Sequence, residues 1–345
     1  MAARRHEVPA AARRSWRQAI TSRERAVLRR SLWQIVNTLG PYLALWGLMI
    51  WTLGVSYLLT LGIAVLAAGF LARIFMIFHD CAHGSFMPSR RANRFMEFLT
   101  GVLTFTPYRQ WRHKHAVHHA TSGDLDRRGT GDIWTMTVEE YLAASPLKRL
   151  SYRLFRSPLV LFIVAPLYLF LIHHRFPSTA VGIRERRGVH YTNGALLGIV
   201  VVMSLTIGLK AYLLIQVPVL LFAGVAGVWL FYVQHQFEGA YWERRADWDF
   251  VDAALRGSSY YRLPRVLQWF TGNIGFHHIH HLSPAIPNYS LEGCHMASPV
   301  FQSVRAVTLW SSLSSLSFRL WDERRKRLVG FRRLRAGRSG RSVPA

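Results

Sequence analysis

Nine of the sixteen histidines in this 345-residue chain stand in four tight groups. They are His79 and His83 in HDCAH, His115, His118 and His119 in HAVHH, His235 in QHQFE, and His277, His280 and His281 in HHIHH. Imidazole is the commonest nitrogen ligand of iron, zinc and copper, and nine rings exceed what one ion of four to six ligands can take. The number implies two metals sharing one site. On a helix, residues four apart share a face, so His79 and His83 point the same way. His115, His118 and His119 do so at i, i+3 and i+4, and His277, His280 and His281 repeat the pattern. The competing reading, His-rich surface helices holding no metal, requires two HxxHH units and one HxxxH to arise together without a chemical reason.

These groups lie just after, or a short way beyond, strongly apolar stretches, so the positioning elements are those of a membrane protein. Residues 42–78 form a 37-residue run with one charge, Arg73. One span needs about 20 residues, so the run predicts a hairpin of two, turning near Tyr57 to Gly62. Residues 193–233 form a second run with one charge, Lys210, where a second hairpin would turn. The apolar stretch from Leu159 to Ile172 contains Pro166 and would reach only about 21 Å of a roughly 30 Å hydrocarbon core. It reads as an interfacial or re-entrant helix. The expected fold is an all-α membrane protein of four transmembrane helices in two hairpins, with a helical cap holding the histidines. Residues 1–41 form a basic arm on the membrane, 42–289 the membrane domain with its cap, and 290–345 a C-terminal region with a basic tail.

With four spans, all nine histidines fall on one face of the membrane. Of the 43 lysines and arginines, 42 fall on that face too, which the positive-inside rule makes cytoplasmic. The net charge of +25 then needs no nucleic acid to explain it. The tail from Arg324 to Arg341 suits an anionic lipid surface better than RNA. The first 30 residues lack the apolar core of a secretory signal. Cys81 and Cys294 are too few for a disulfide framework, and Cys81 reads as a packing residue.

A ligating imidazole usually gives its second N–H to a carboxylate or carbonyl. Asp80 and Glu238 are the first choices for that role. Asp124, Asp126 and Asp132 could share it, or could simply pair with Arg127, Arg128 and other cations. His6, His173, His174, His190 and His295 are isolated or interfacial, while His113 and His278 fall off the ligating faces. Trp33, Trp46, Trp51 and Trp229 read as interface anchors and core.

The boxes HDCAH, HAVHH and HHIHH, with the flanks WRHKHAVHHATSGDLDRRGTGDIWTMTVEEYL, FYVQHQFEGAYW and GSSYYRLPRVLQWFTGNIGFHHIHHLSPAIPNY, resemble the integral-membrane fatty acid desaturases, in particular the bacterial acyl-lipid branch with omega-6 (delta-12) type enzymes. The resemblance runs from Arg73 to Tyr289. It implies four transmembrane helices with a cytoplasmic cap, two iron ions held by His79, His83, His115, His118, His119, His235, His277, His280 and His281, dioxygen as cosubstrate and an acyl-lipid substrate. Some of the wider superfamily place an Asn four residues before the isolated ligand. Phe231 stands there in this chain, leaving Asn273 as one candidate.

The chemistry agrees with the ligand types. Taking hydrogen from an unactivated methylene needs an oxidant that side chains do not provide. Zinc has no redox chemistry and thiolates are missing, so iron is expected, with copper left open. Two electrons and one dioxygen would remove two neighbouring hydrogens, leaving an alkene and water. With no flavin fingerprint, iron-sulfur pattern or haem domain, electrons must come from a partner, and so basic a face suits an acidic carrier such as ferredoxin. The alternatives are a related hydroxylase or carotenoid ketolase or hydroxylase, and a metal transporter or sensor, which would need ionisable residues deep in the spans.

Overall fold

The computed structural model describes residues 10–332. His6 and the end of the basic tail lie outside them. Helix α1 (Ala10–Thr21) is followed by two long antiparallel helices, α2 (Leu28–Leu53) and α3 (Tyr57–His83). After α4 (Arg90–Leu103), α5 (Tyr108–Thr121), α6 (Val138–Ala143) and α7 (Pro146–Phe155) comes a broken helix, Val160–Arg175, bent by 62° from α7. Its middle turn is α8 (Ala165–Leu167), between two π-helical stretches. The second long pair is α9 (Ile183–Thr206) and α10 (Leu209–His235). Short helices α11 (Phe250–Gly257), α12 (Arg265–Phe270), α13 (His277–Leu282) and α14 (Asn288–Met296) follow. Strands are few: Met136–Thr137, Leu320–Asp322 and Arg327–Val329 form one sheet, and Tyr260–Arg262 pairs with Ala306–Thr308.

Among the described residues four helices, α2, α3, α9 and α10, are each long and apolar enough to cross a membrane, and α7 with the broken helix passes the same test only as one bent pair. The first hairpin turns at Gly54–Ser56, earlier than expected, where the Ser56 side chain caps α3 by accepting from Leu59 N–H. The hydroxyls of Thr52 and Thr60, 3.0 Å apart, tie the two helices beyond the turn. The shift arises because the first span begins at Leu28, inside the expected arm. Its polar Ser31, Gln34 and Thr38 face inward and are buried, while Leu32, Trp33 and Val36 face outward. A helix with polar residues inside and apolar ones outside is legible to lipid but not to a search for uninterrupted apolar runs.

Arg73, the one charge of the first apolar run, is buried. Its Nε donates to Thr38 Oγ1 at 3.0 Å, another guanidinium nitrogen meets the Trp269 carbonyl, and the cation lies 3.9 Å from the Trp269 ring centroid. The second hairpin turns at Ile207–Gly208, with Gly208 at φ +87, two residues before Lys210. The broken helix lies against α10, where Pro166 approaches Gly224 so closely that a Cβ there would stand 2.8 Å from the proline.

α3 and α10 pack along their length through Ile74, Leu71, Ile215 and Val219. Both end on their ligand-bearing turns. Gly84, at φ +75, stops α3 one residue after His83, and α10 stops at His235. Around these ends gather the short elements. α1 joins them: Trp16, Ala19 and Ile20 are buried with Leu255, Phe276, Ile279 and Phe301.

Candidate metal centre

Helices α3, α5, α10 and α13 bring all nine box histidines together. His79, His83, His115, His119 and His280 form one group, and His118, His235, His277 and His281 a second; within each, one nitrogen per ring lies within 4.8 Å of all the others. Helix α5 serves both groups because its three rings follow the i, i+3, i+4 pattern. Helix α13 does the same in only six residues.

In the first group the Nε2 atoms of His79 and His115 are 3.0 Å apart, those of His115 and His119 3.1 Å, and those of His119 and His280 3.0 Å. In the second, His118 to His235 is 3.1 Å, His235 to His277 3.0 Å and His277 to His281 3.1 Å. These spacings suit a cation shared by the rings of each group. Donors about 2.1 Å from a centre stand about 3.0 Å apart at right angles and about 3.4 Å apart at tetrahedral angles. The observed edges are those of nitrogen donors gathered around a common point in each group.

Three of the rings have an acceptor behind Nδ1. His79 Nδ1 lies 3.1 Å from Asp80 Oδ1, His118 Nδ1 2.6 Å from Asp132 Oδ1, and His235 Nδ1 3.2 Å from the Gly257 carbonyl. With Nδ1–H donating to these acceptors, Nε2 is the nitrogen left to meet a cation. Burial pushes His115, His119, His277, His280 and His281 well below the ordinary imidazole value, and neighbouring rings add to it. His83 Nε2 is buried without any hydrogen-bond partner. Neutral rings facing one another at 3.0 Å, with an orphaned nitrogen among them, have the chemistry of a donor set for cations.

The carboxylates separate cleanly. Asp80 also accepts from the Asn288 backbone N–H at 2.6 Å and its side-chain amide at 2.9 Å, so α14 holds it against His79. Asp132 accepts from Gly129 N–H at 3.2 Å. Asp124 and Asp126 take the other reading: Asp124 pairs with Arg127 and Asp126 with Arg244. Glu238 must be corrected. It is exposed and pairs with Arg305, because the chain swings outward at Gly239, φ +83, after α10 ends. Asn273 is corrected as well, since its amide is spent on Gln268 and on the Asn288 carbonyl. Phe231 packs its ring 5.3 Å from His118 and 5.4 Å from His235.

His113 is exposed. His278 is buried beside His295, and burial, reinforced by that ring, pushes it down to about 3. Neither belongs to a group.

A cavity of about 460 Å³ opens against the two groups, at His79, His115 and His277. Leu71, Phe75 and Met76 of α3, Leu220, Gly224 and Phe231 of α10, and Phe170 of the broken helix wall it. At 1.5 Å per helical residue, Leu71 lies about 12 Å below His79 and Leu220 about 22 Å below His235. The cavity is therefore a deep apolar slot with the histidines at one end. Sequence reasoning missed several of its residues. His173, His174 and Lys114 line it, and so does Trp111, whose ring stacks on His115 at 4.3 Å. Trp111 stands four residues before His115, a helical spacing that could have revealed it.

Comparison with known proteins gives a consistent result. The Fatty acid desaturase family model matches residues 56–307. A Bacillus subtilis (strain 168) protein named fatty acid desaturase is 52% identical over 307 residues, covering 89% of this chain and 87% of its own. Two Synechocystis proteins are each 28% identical. The sn-1 oleoyl-lipid 12-desaturase aligns over 65% of this chain and 64% of its own, and the sn-1 acyl-lipid omega-3 desaturase (ferredoxin) over 63% and 61%.

Proposed function

The chain belongs to the fatty acid desaturase family of oxidoreductases, and from that premise we propose that it is a di-iron, dioxygen-dependent desaturase placing a double bond in the acyl chain of a membrane lipid. The observation that carries this reading is the deep apolar slot that ends on His79, His115 and His277, members of two clusters that together hold nine imidazoles. Its iron ligands are His79, His83, His115, His119 and His280 for one ion and His118, His235, His277 and His281 for the other. Iron held there supplies the dioxygen chemistry that side chains lack.

The chain's own groups do the rest. Asp80 and Asp132 hold their imidazoles in one tautomer and orientation. The slot desolvates an acyl chain and fixes which methylene lies against the rings. Phe231 and Trp111 close the histidine end with apolar surface, keeping bulk water from the reacting carbon. Electrons come from an acidic carrier such as ferredoxin, a reading supported by the omega-3 relative, whose name includes ferredoxin. The site faces the cytoplasm of a bacterial inner membrane under a helical cap, as the distribution of basic residues supports. For bond position, carbon 12 is the reading to test, supported by the 12-desaturase relative at 28% identity; the name of the 52% identical relative specifies no position.

The test is gas chromatography with mass spectrometry of total fatty acids from a host of known lipids, supplied with a ferredoxin system and expressing wild type or His118→Ala. A new unsaturated acid made only by wild type, its bond located after derivatisation, is the expected result. Unchanged acyl chains with folded, iron-containing protein would instead favour the hydroxylase or carotenoid oxidase reading.

A further inference from the structure

Behind α5, away from the acyl slot, lies a second cavity of about 620 Å³ between α4, α5 and α9. Helix α5 divides the two spaces: Trp111, Lys114 and His115 line the slot, while Tyr108, Arg109 and Arg112 line this cleft. Five arginines converge there, Arg94, Arg109, Arg112, Arg184 and Arg187, against two carboxylates, Glu97 and Glu185. Among the described residues only Arg112 forms an ion pair, to Glu97 at 3.0 Å.

The cleft is built rather than incidental. Glu97 is fully buried and anchors the half-exposed Arg112 from below. Gly188 of α9 leaves room for the Arg109 stem: a Cβ at that position would stand 2.9 Å from the Arg109 Cβ. Arg109 then reaches across α9 to the Arg184 carbonyl at 3.4 Å. Two guanidinium groups are thus held in place before any ligand arrives, and planar guanidinium forks match phosphate oxygens in pairs.

Depth decides what the ligand is. Phe95 and Tyr191, 65% and 55% exposed, rim the cleft as interfacial aromatics do. Arg187 and Arg184 stand one and two helical turns beyond Tyr191, about 6 and 10 Å. The headgroup layer above the hydrocarbon is roughly 5–8 Å thick. With Tyr191 at the edge of the hydrocarbon, Arg187 and Arg184 come at and just above lipid phosphate level, in a concave pocket between helices, the setting in which basic residues take lipid headgroups.

We propose that this cleft is a binding site for the phosphate of a resident glycerophospholipid, distinct from the acyl slot. A lipid seated there bridges α4, α5 and α9 and so braces the helix that carries His115, His118 and His119. The proposal stands whether or not the desaturase reading does.

Native mass spectrometry of the detergent-purified full chain tests it, with dioctanoyl phosphatidylglycerol, phosphate-free digalactosyl diacylglycerol and inorganic phosphate as probes. Wild type should retain phosphatidylglycerol. Arg109→Gln with Arg187→Gln should weaken retention at least tenfold, while circular dichroism and the lipid-free melting temperature stay unchanged. Because that pair could disturb packing, Arg94→Gln with Arg184→Gln, both at exposed positions, serves as a second variant and should weaken retention too. Four results would overturn the proposal: equal retention by wild type and both variants, equal binding of the galactolipid, displacement by inorganic phosphate at the lipid's own concentration, or variants that lose only binding of an acidic ferredoxin.

Discussion

On the two-metal reading, replacing Asp132 with alanine should loosen one metal and spare the other. Asp132 Oδ1 stands 2.6 Å from His118 Nδ1, and His118 belongs to the group of four rings. Without that acceptor the imidazole loses its fixed tautomer and is free to rotate, and such a loss typically costs 10–100-fold in metal affinity. That is about 1.4–2.7 kcal/mol, felt only by the His118, His235, His277 and His281 group. Asp80→Ala should instead weaken the His79 group, and because Asp80 also holds Asn288, it should lower the melting temperature as well. The assay is iron per chain by mass spectrometry across a series of competing chelator concentrations. Wild type should release two ions. Asp132→Ala should shift one release step 10–100-fold and leave the other in place, while Glu238→Ala moves neither. Simultaneous loss of both ions in Asp132→Ala, an unaltered release curve, or a shift in Glu238→Ala would refute the assignment.

Other expectations follow from the same geometry. Gly227 lines the slot, and a Cβ there meets nothing within 4 Å. Gly227→Leu should therefore fold normally yet shorten the longest acyl chain converted, as read by product profiles; an unchanged chain-length range would argue against the slot as the acyl site. Burial pushes the Glu97 carboxyl up from 4.5 to about 7, against the opposing pull of Arg112, Arg109 and Arg94. The folded chain then holds this proton more tightly than the unfolded one, so the contribution is full below about pH 4.5 and lost as pH rises through about 7. In Glu97→Gln, the loss of stability between pH 5 and 8 should shrink by about 2–3 kcal/mol, compared by melting at each pH; parallel profiles would contradict this. Arg156 is fully buried and donates to Tyr232 Oη and Gln236 Oε1, both at 3.1 Å, and to the Phe318 carbonyl at 2.8 Å. Arg156→Leu should cost about 3 kcal/mol by stranding these acceptors beside the end of α10. A melting temperature within a degree of wild type would show that they find other donors.

The nine rings were legible because helical spacing fixes direction over one turn, and each box is no longer than one. The four spans were legible for a similar reason, since apolar composition over some 20 residues survives local exceptions. What failed depended on chain direction after a helix ends. Glu238 and Asp132 both lie near ligands in sequence, but the turn at Gly239 carries Glu238 away while the turns at Gly129 and Gly131 fold Asp132 back onto His118. No periodicity records such turns. The start of α2 was hidden because its buried face is the polar one. The docking of α1 through Trp16 and Ile20 depends on partners some 230 to 280 residues further along the chain, Leu255 to Phe301.

The four ligand-bearing helices touch one another at the site through rings whose positions in the chain lie as much as about 200 residues apart. A filled centre is then a clasp on the tertiary structure as much as a reaction site. Its binding energy closes loops that the six-residue α13, too short to hold its shape alone, does little to close. On the di-iron reading, iron supply should therefore set how much of this protein a cell keeps. Under scarcity the chain would become a better substrate for membrane proteases, and its abundance would fall alongside its activity.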